Sequence, residues 1–208
     1  MLVYESELYE RGFGAIAGVD EAGRGPLCGS VFAAAVIFPR DFYCGEINDS
    51  KKLTEKKRER LFDIITENAS AYSVKEIDAG TIDKINILRA THKAMCEAVD
   101  GLDIRPDFVI IDGNSISGME IAHRTIVKGD EKSMSIAAAS ILAKVSRDRE
   151  MIRLSEEYPE YNFAKNKGYG TKEHREALLK YGPCPIHRKT FLKKILGDTV
   201  PPIKETPV

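Results

Sequence analysis

Hydrophobic positions along the chain follow two rhythms. Short apolar or alternating runs at residues 15–20, 30–38, 71–77, 108–111 and 121–127 predict five strands. Residues 108–111 are apolar without a break, the pattern of a strand covered on both faces. Three- and four-residue spacing predicts helices. One is capped by Thr54 and runs to about Ala69, one spans residues 81–99, and a long one begins at Ser133 and carries Ala137, Ala138, Ala139 and Ala143. A shorter helix ends near Lys180. His92 lies inside the apolar stripe of the second helix, so it reads as a satisfied, partly buried histidine. The early strand pair with no helix between them predicts a hairpin, and the whole pattern an α/β fold with a mixed sheet flanked by helices. The body is expected over residues 1–157, a basic helical extension over 158–208, and a loose tail from Gly197 with three prolines.

The run AGVDEAGRGPLCGS, Ala17 to Ser30, departs from this pattern. It places two adjacent acids, Asp20 and Glu21, where an apolar strand runs into a glycine-rich turn. Successive strand residues face opposite ways, so the strand is expected to end about Asp20 if both acids serve one site. On this stretch alone, a hairpin turn tipped with solvated acids is an equal reading. The same arrangement recurs, however. Residues 108–111 end in Asp112, and residues 121–127 run out just before Asp130. Carboxylates gathered at strand ends would repel one another, and a cation would relieve them. With neither Cys nor His among the donors, the set favours a hard ion, Mg²⁺ or Mn²⁺. Two such ions suit phosphodiester hydrolysis. Whether the strands are neighbours is left open by the sequence.

Charge changes this picture in one respect. The net charge is only −1, yet Tyr161 to Lys194 holds nine basic residues against two acids, leaving the rest of the chain acidic. A polyanion would meet a basic C-terminal region, although solvated helix faces use lysine in the same way. Hydrophobic residues at 43% and charged residues at 30% describe a globular chain. The N-terminus lacks signal-peptide character and no apolar run reaches membrane-spanning length, so a cytoplasmic protein without a membrane partner is expected. Cys28, Cys44, Cys96 and Cys184 lack the short paired spacing of a zinc site and read as reduced, structural thiols. GRGPLCGS lacks the Lys-Ser/Thr ending of a P-loop.

The segments GVDEAGRGPLCGSV (Gly18 to Val31), NDSKKL (Asn48 to Leu53), IIDGN (Ile110 to Asn114), KGDEKSMSIAAASILAKVSRD (Lys128 to Asp148), NKGYGTKEH (Asn166 to His174) and PIHRKTF (Pro185 to Phe191) together resemble the ribonuclease HII family, in that family's order. The resemblance implies a ribonuclease H-like fold: a central five-stranded mixed sheet flanked by helices, with a helical C-terminal extension. It implies cleavage of the RNA strand of RNA/DNA hybrids and incision 5′ to single ribonucleotides in duplex DNA, leaving 3′-hydroxyl and 5′-phosphate ends. The family's metal-binding catalytic acids fall on Asp20, Glu21, Asp112 and Asp130, with Mg²⁺ or Mn²⁺ as cofactor. Its reader of the ribose 2′-hydroxyl falls on Gly23, Arg24 and Gly25, and its stacking tyrosine on Tyr169. Lys51, Lys52, Lys144 and Lys167 lie in matching motifs as phosphate contacts or solvated charges. Asp148 is expected to pair with Arg147 or Lys144, and Ser140 to be a packing residue. For His174, His187 and Arg188, phosphate contact and structural hydrogen bonding stay equally open. A monomer is expected. Ribonuclease HIII and a non-catalytic hybrid-binding module are the alternatives; the former usually carries an additional N-terminal domain, and the latter would be expected to lose one of the four acids.

Overall fold

The computed structural model describes residues 1–197, so the predicted tail lies, apart from Gly197, outside the described residues. In chain order the elements are α1 (Val3–Glu10), β1 (Ile16–Ala22), β2 (Val31–Ile37), α2 (Glu55–Asn68), β3 (Ala71–Ile77), α3 (Ala79–Ile85), α4 (Ile87–Asp100), β4 (Phe108–Asp112), β5 (His123–Ile126), α5 (Met134–Glu157), α6 (Phe163–Asn166), α7 (Lys172–Tyr181) and α8 (Lys189–Leu196). The strands form one mixed sheet in the order β3-β2-β1-β4-β5. β1 and β2 form the expected hairpin and β2 pairs antiparallel with β3, while β4 and β5 join parallel to β1 and to each other. Among the described residues no helix is long and apolar enough to cross a membrane.

Helices cover both faces of the sheet. On one face, Ala17, Val19, Ala33, Ala35, Val109 and Ile111 pack against Ala90, Ala94, Met95 and Ala98 of α4. On the other, Phe32, Ala34 and Val36 meet the alanines of α5. Small residues on both sides of this contact let α5 lie close. Gly18 sets the limit: a Cβ there would stand 2.2 Å from the backbone carbon of Ser135.

Four differences from the expected elements have physical causes. β1 does not stop at Asp20 but continues through Glu21 to Ala22, because Glu21 and Ala22 still pair with Ala33 and Phe32 of β2. The helix expected over residues 81–99 is two helices. They break at Asn86, whose φ of 67° lies in the left-handed region and whose side chain accepts from Arg89 N at 3.1 Å to start α4. Asparagine tolerates that conformation better than most residues. The last strand is shorter than expected, four residues, with His123 and Arg124 exposed. Finally, the segment ahead of β1, for which no element was expected, forms α1, whose buried Glu5 accepts from Ser133 Oγ (2.6 Å) and Ser135 N (3.1 Å). A carboxylate at the N-terminus of α5 satisfies amides that the helix itself leaves open.

Gly18→Ala should lower stability by about 3 kcal/mol or more, since the added methyl meets backbone that cannot give locally. Gly14→Ala, where a Cβ meets nothing nearer than 3.7 Å, should cost under about 1 kcal/mol. Denaturant unfolding of both variants checks this, and equal losses would contradict the packing described.

Candidate active site

Strand register decides where the acids meet. Ile16 to Val19 of β1 stand beside Phe108 to Ile111 of β4 in parallel, so the next residues along, Asp20 and Asp112, are neighbours. They share the face turned toward α5, as Gly18 and Ile110 do. Glu21 points to the opposite face, yet the sheet ends here and Glu21 lines the same cavity of about 220 Å³ as Asp20 and Asp112. Asp130 lies in a 3-10 turn (Gly129–Glu131) after β5, and Gly129 N donates to Asp112 Oδ1 at 2.6 Å. Thus three strand ends bring the four predicted acids to one end of the sheet.

Their protonation reflects that crowding. Burial, then the charges of Glu21 and Asp112, push the Asp20 carboxyl well above the usual range, although Ser140 and the Glu21 amide hydrogen-bond to it. Burial raises Glu21 as well, against the pull of Arg24, and it raises Asp130, where Asp112 adds to the effect and Lys51 opposes it. Two exposed cations partly balance the acids: Arg24 Nη1 is 3.4 Å from Glu21 and Lys51 Nζ 3.6 Å from Asp130. The donor set is carboxylate oxygen throughout and carries uncompensated negative charge, so it fits a hard divalent ion.

The glycine-rich turn adjoins the acids. Gly23, Arg24 and Gly25 line the acid cavity together with Tyr169, which is 46% exposed. Gly23 adopts φ 98°, and a Cβ there would lie 2.2 Å from Arg147 Nε. Its lack of a side chain is therefore required by the protein's own packing. Gly25 has no positive φ; a Cβ there would sit 3.7 Å from the Tyr169 ring. Beneath the turn two buried guanidiniums take its carbonyls. Arg188 donates to the carbonyls of Gly23, Arg24, Pro26, Gly29 and Ser30 at 2.6–3.3 Å. Arg147 donates to Ser30 O, Cys28 O and Lys167 O.

Between phosphate contact and structural bonding, Arg188 thus takes the second role, being 0% exposed. His174 and His187 are also buried, and their hydrogen bonds fix their tautomers. Cys184 N–H donates to His187 Nδ1 (3.0 Å), so His187 Nε2–H donates to His174 Nε2 (3.0 Å) and His174 Nδ1–H to Tyr169 O (3.0 Å). Burial keeps both rings neutral, with His187 pushed down to about 3. Cys28 completes a trio of possible metal ligands with them, but the ring nitrogens already have partners. All four cysteines are free thiols.

Lys144 reaches the cavity and pairs with buried Asp148 at 2.5 Å; Arg58, rather than Arg147, is the second partner of Asp148. Lys52 pairs with Glu131 at 2.7 Å. Lys167 contributes its carbonyl to Arg147 from a left-handed backbone, φ 49°. Ser140 is more than a packing residue, since it bonds Asp20 and lies 2.9 Å from Ser50 Oγ. His92 sits as expected in the α4 stripe, its Nδ1 2.8 Å from Ser117 Oγ. Arg147 and Ser140 were not singled out as site residues from sequence. A signal existed: Ser140, Lys144, Arg147 and Met151 recur four, three and four apart, along one face of α5.

The family model described as Ribonuclease HII matches residues 17–194. The ribonuclease HII of Caldanaerobacter subterraneus subsp. tengcongensis is 58% identical over 196 residues, covering 94% of this chain and 81% of that protein. That of Syntrophus aciditrophicus is 56% identical over 191 residues, covering 92% and 90%. Among solved structures, the ribonuclease H2 of Pyrococcus horikoshii OT3 aligns with a TM-score of 0.77 at 28% identity, over 87% of this chain and 96% of that one. Bst-RNase HIII in complex with Mn²⁺ shares the fold, with a TM-score of 0.65 at 20% identity over 80% and 61%. The fold, its five-stranded sheet and this match over most of its length place the chain in the ribonuclease HII family of metal-dependent endonucleases.

Proposed function

We propose that this enzyme cleaves the RNA strand of RNA/DNA hybrids and incises duplex DNA on the 5′ side of a single embedded ribonucleotide. The observation that carries this reading is one cavity that holds Asp20, Glu21 and Asp112 beside Gly23, Arg24, Gly25 and Tyr169. A hydrolytic centre and a reader of the sugar are there within reach of adjacent nucleotides. Asp20, Glu21, Asp112 and Asp130 would hold the divalent ions. When bound, Mg²⁺ or Mn²⁺ supplies charge neutralisation for the scissile phosphate and a more acidic water, as in two-metal hydrolysis. Arg24 and Lys51, with side chains 51% and 79% exposed, can leave the acids as that charge arrives.

The chain's own groups set what is cut. Backbone amides of the Gly23-Arg24-Gly25 turn would approach the 2′-hydroxyl, the only local difference between ribose and deoxyribose. The exposed Tyr169 ring, with the Arg147 guanidinium 6.0 Å from its centroid, would stack on the nucleotide at the junction. Water attacks phosphorus on the 5′ side of the ribonucleotide, and the bond to the upstream 3′ oxygen breaks, giving 3′-hydroxyl and 5′-phosphate ends. Of the nine basic residues between Tyr161 and Lys194, Arg188 alone is buried, and the others can contact the phosphate backbone.

Asp112→Asn should lower the cleavage rate about a thousandfold or more, some 4 kcal/mol of barrier, with the fold intact by circular dichroism. A near-normal rate would remove Asp112 from the centre. Tyr169→Ala should lose more activity on a single embedded ribonucleotide than on a long hybrid, a stacking contact being worth about 1–3 kcal/mol. Equal losses on both substrates would contradict its place at the junction. The acids also predict a pH-dependent stability. Because folding raises the Asp20 carboxyl, its charged form costs stability above that raised range, and the cost vanishes below the ordinary range near about pH 4. Metal-free Asp20→Asn should therefore unfold at a higher temperature than the parent at pH 8, with the gain gone at pH 4; a gain independent of pH would count against charge repulsion.

A further inference from the structure

The geometry points to Arg188 as the positioning residue for ribonucleotide selection: from beneath the Gly23-Arg24-Gly25 turn it pulls the carbonyls inward and so turns the amides of Arg24 and Gly25 outward as free donors for the 2′-hydroxyl. This inference rests on the assignment of that turn to the ribose.

The argument is one of peptide geometry. A trans peptide is planar, so its C=O and N–H point in opposite directions. Gly23 O and Arg24 O accept from Arg188 at 2.6 and 3.0 Å, and the N–H groups in those same two peptides, of Arg24 and Gly25, consequently face away from Arg188. Arg188 is fully buried and the turn lines the acid cavity, so away from Arg188 is toward the cavity. Among the described residues neither amide donates to another protein group, in keeping with donors reserved for a ligand. Beyond the Gly25–Pro26 bond, which has no N–H, the Pro26–Leu27 peptide shows the same rule with a partner in place. Pro26 O accepts from Arg188 at 2.9 Å, and the opposing Leu27 N–H donates to Gly168 O at 2.9 Å. One guanidinium thereby orients the turn and docks it against the residue before Tyr169.

Stability alone is a poor explanation of this arrangement. Among the described residues no carboxylate forms an ion pair with Arg188, and Arg147, the other buried guanidinium, lies close enough to lower its pKa further after burial has done so, against a weaker opposing pull from Asp83. Two such cations cost free energy unless dipoles replace the lost water, and here backbone carbonyls do so. Lysine cannot substitute, since its three donors sit on one atom while the guanidinium spreads five in a plane. The carbonyls of Gly23, Arg24, Pro26, Gly29 and Ser30 surround that plane.

The test compares binding, in chelator, of a DNA duplex with one ribonucleotide and the same duplex as all DNA, for the parent and for Arg188→Lys, with cooperative thermal unfolding as the fold control. Preference for the ribonucleotide should fall about tenfold or more in Arg188→Lys, while affinity for the all-DNA duplex changes less than about twofold. A folded variant that keeps its preference overturns the inference and leaves the ribose reading standing; a parent without preference overturns both. If Arg188→Lys does not fold, amide exchange on the parent decides. The Arg24 and Gly25 amides should exchange freely alone and with all-DNA duplex, and become protected with the ribonucleotide duplex. Equal protection by both duplexes, or protection in the free protein, overturns it.

Discussion

Repulsion among carboxylates is the constraint to which this structure answers. The parallel pairing of β1 with β4 sets Asp20 beside Asp112, and Glu21 and Asp130 stand close enough to feel their charge. Nothing in the hydrophobic effect favours such a gathering. It persists because β1 and β4, which carry Asp20, Glu21 and Asp112, are among the best buried strands, packed between α4 on one face and α5 on the other. The interior supplies a free-energy surplus, and the strand ends concentrate its cost in one place. A divalent cation is the natural complement, and Arg24 and Lys51 are weaker, exposed counterweights.

The turn beside the acids rests on a different balance. A glycine-rich turn is conformationally permissive and would gain nothing from remaining in one shape unaided. Arg188 and Arg147 supply that shape by saturating carbonyls, and the bond from His174 to Tyr169 O extends the restraint to the neighbouring loop. Long α5 ties the halves together: Ser140 bonds Asp20, Lys144 enters the cavity, and Arg147 holds the turn, all from one helical face. Displacement of that helix would disturb the acids and the turn together, which makes Gly18, where a Cβ would stand 2.2 Å from the α5 backbone, a residue of wide consequence.

Much of this was legible in the sequence, and unevenly. Thr54 and Ser133 announced their helices because capping is local chemistry, and both side chains do accept from the first turn. Residues 71–77 alternate and form β3 at those bounds. The four acids stood out because charge at the end of an apolar strand is costly without a reason. Local pattern could not show that β1 extends past Asp20, since its continuation depends on pairing with β2. Nor could it separate α3 from α4, where a single asparagine in the left-handed region breaks an otherwise regular stripe. Buried arginine was the hardest feature to foresee. Within a basic segment Arg188 resembles its exposed neighbours, and only the carbonyls brought to it by folding distinguish it.

The central claim is that the ends of β1, β4 and β5 form one divalent-cation centre. The most direct measurement is anomalous diffraction from crystals of the protein soaked in Mn²⁺. The account predicts a strong peak among the carboxylates of Asp20, Glu21, Asp112 and Asp130, lost in Asp112→Asn. A peak at Cys28, His174 and His187 instead, or undiminished density in that variant, would contradict it.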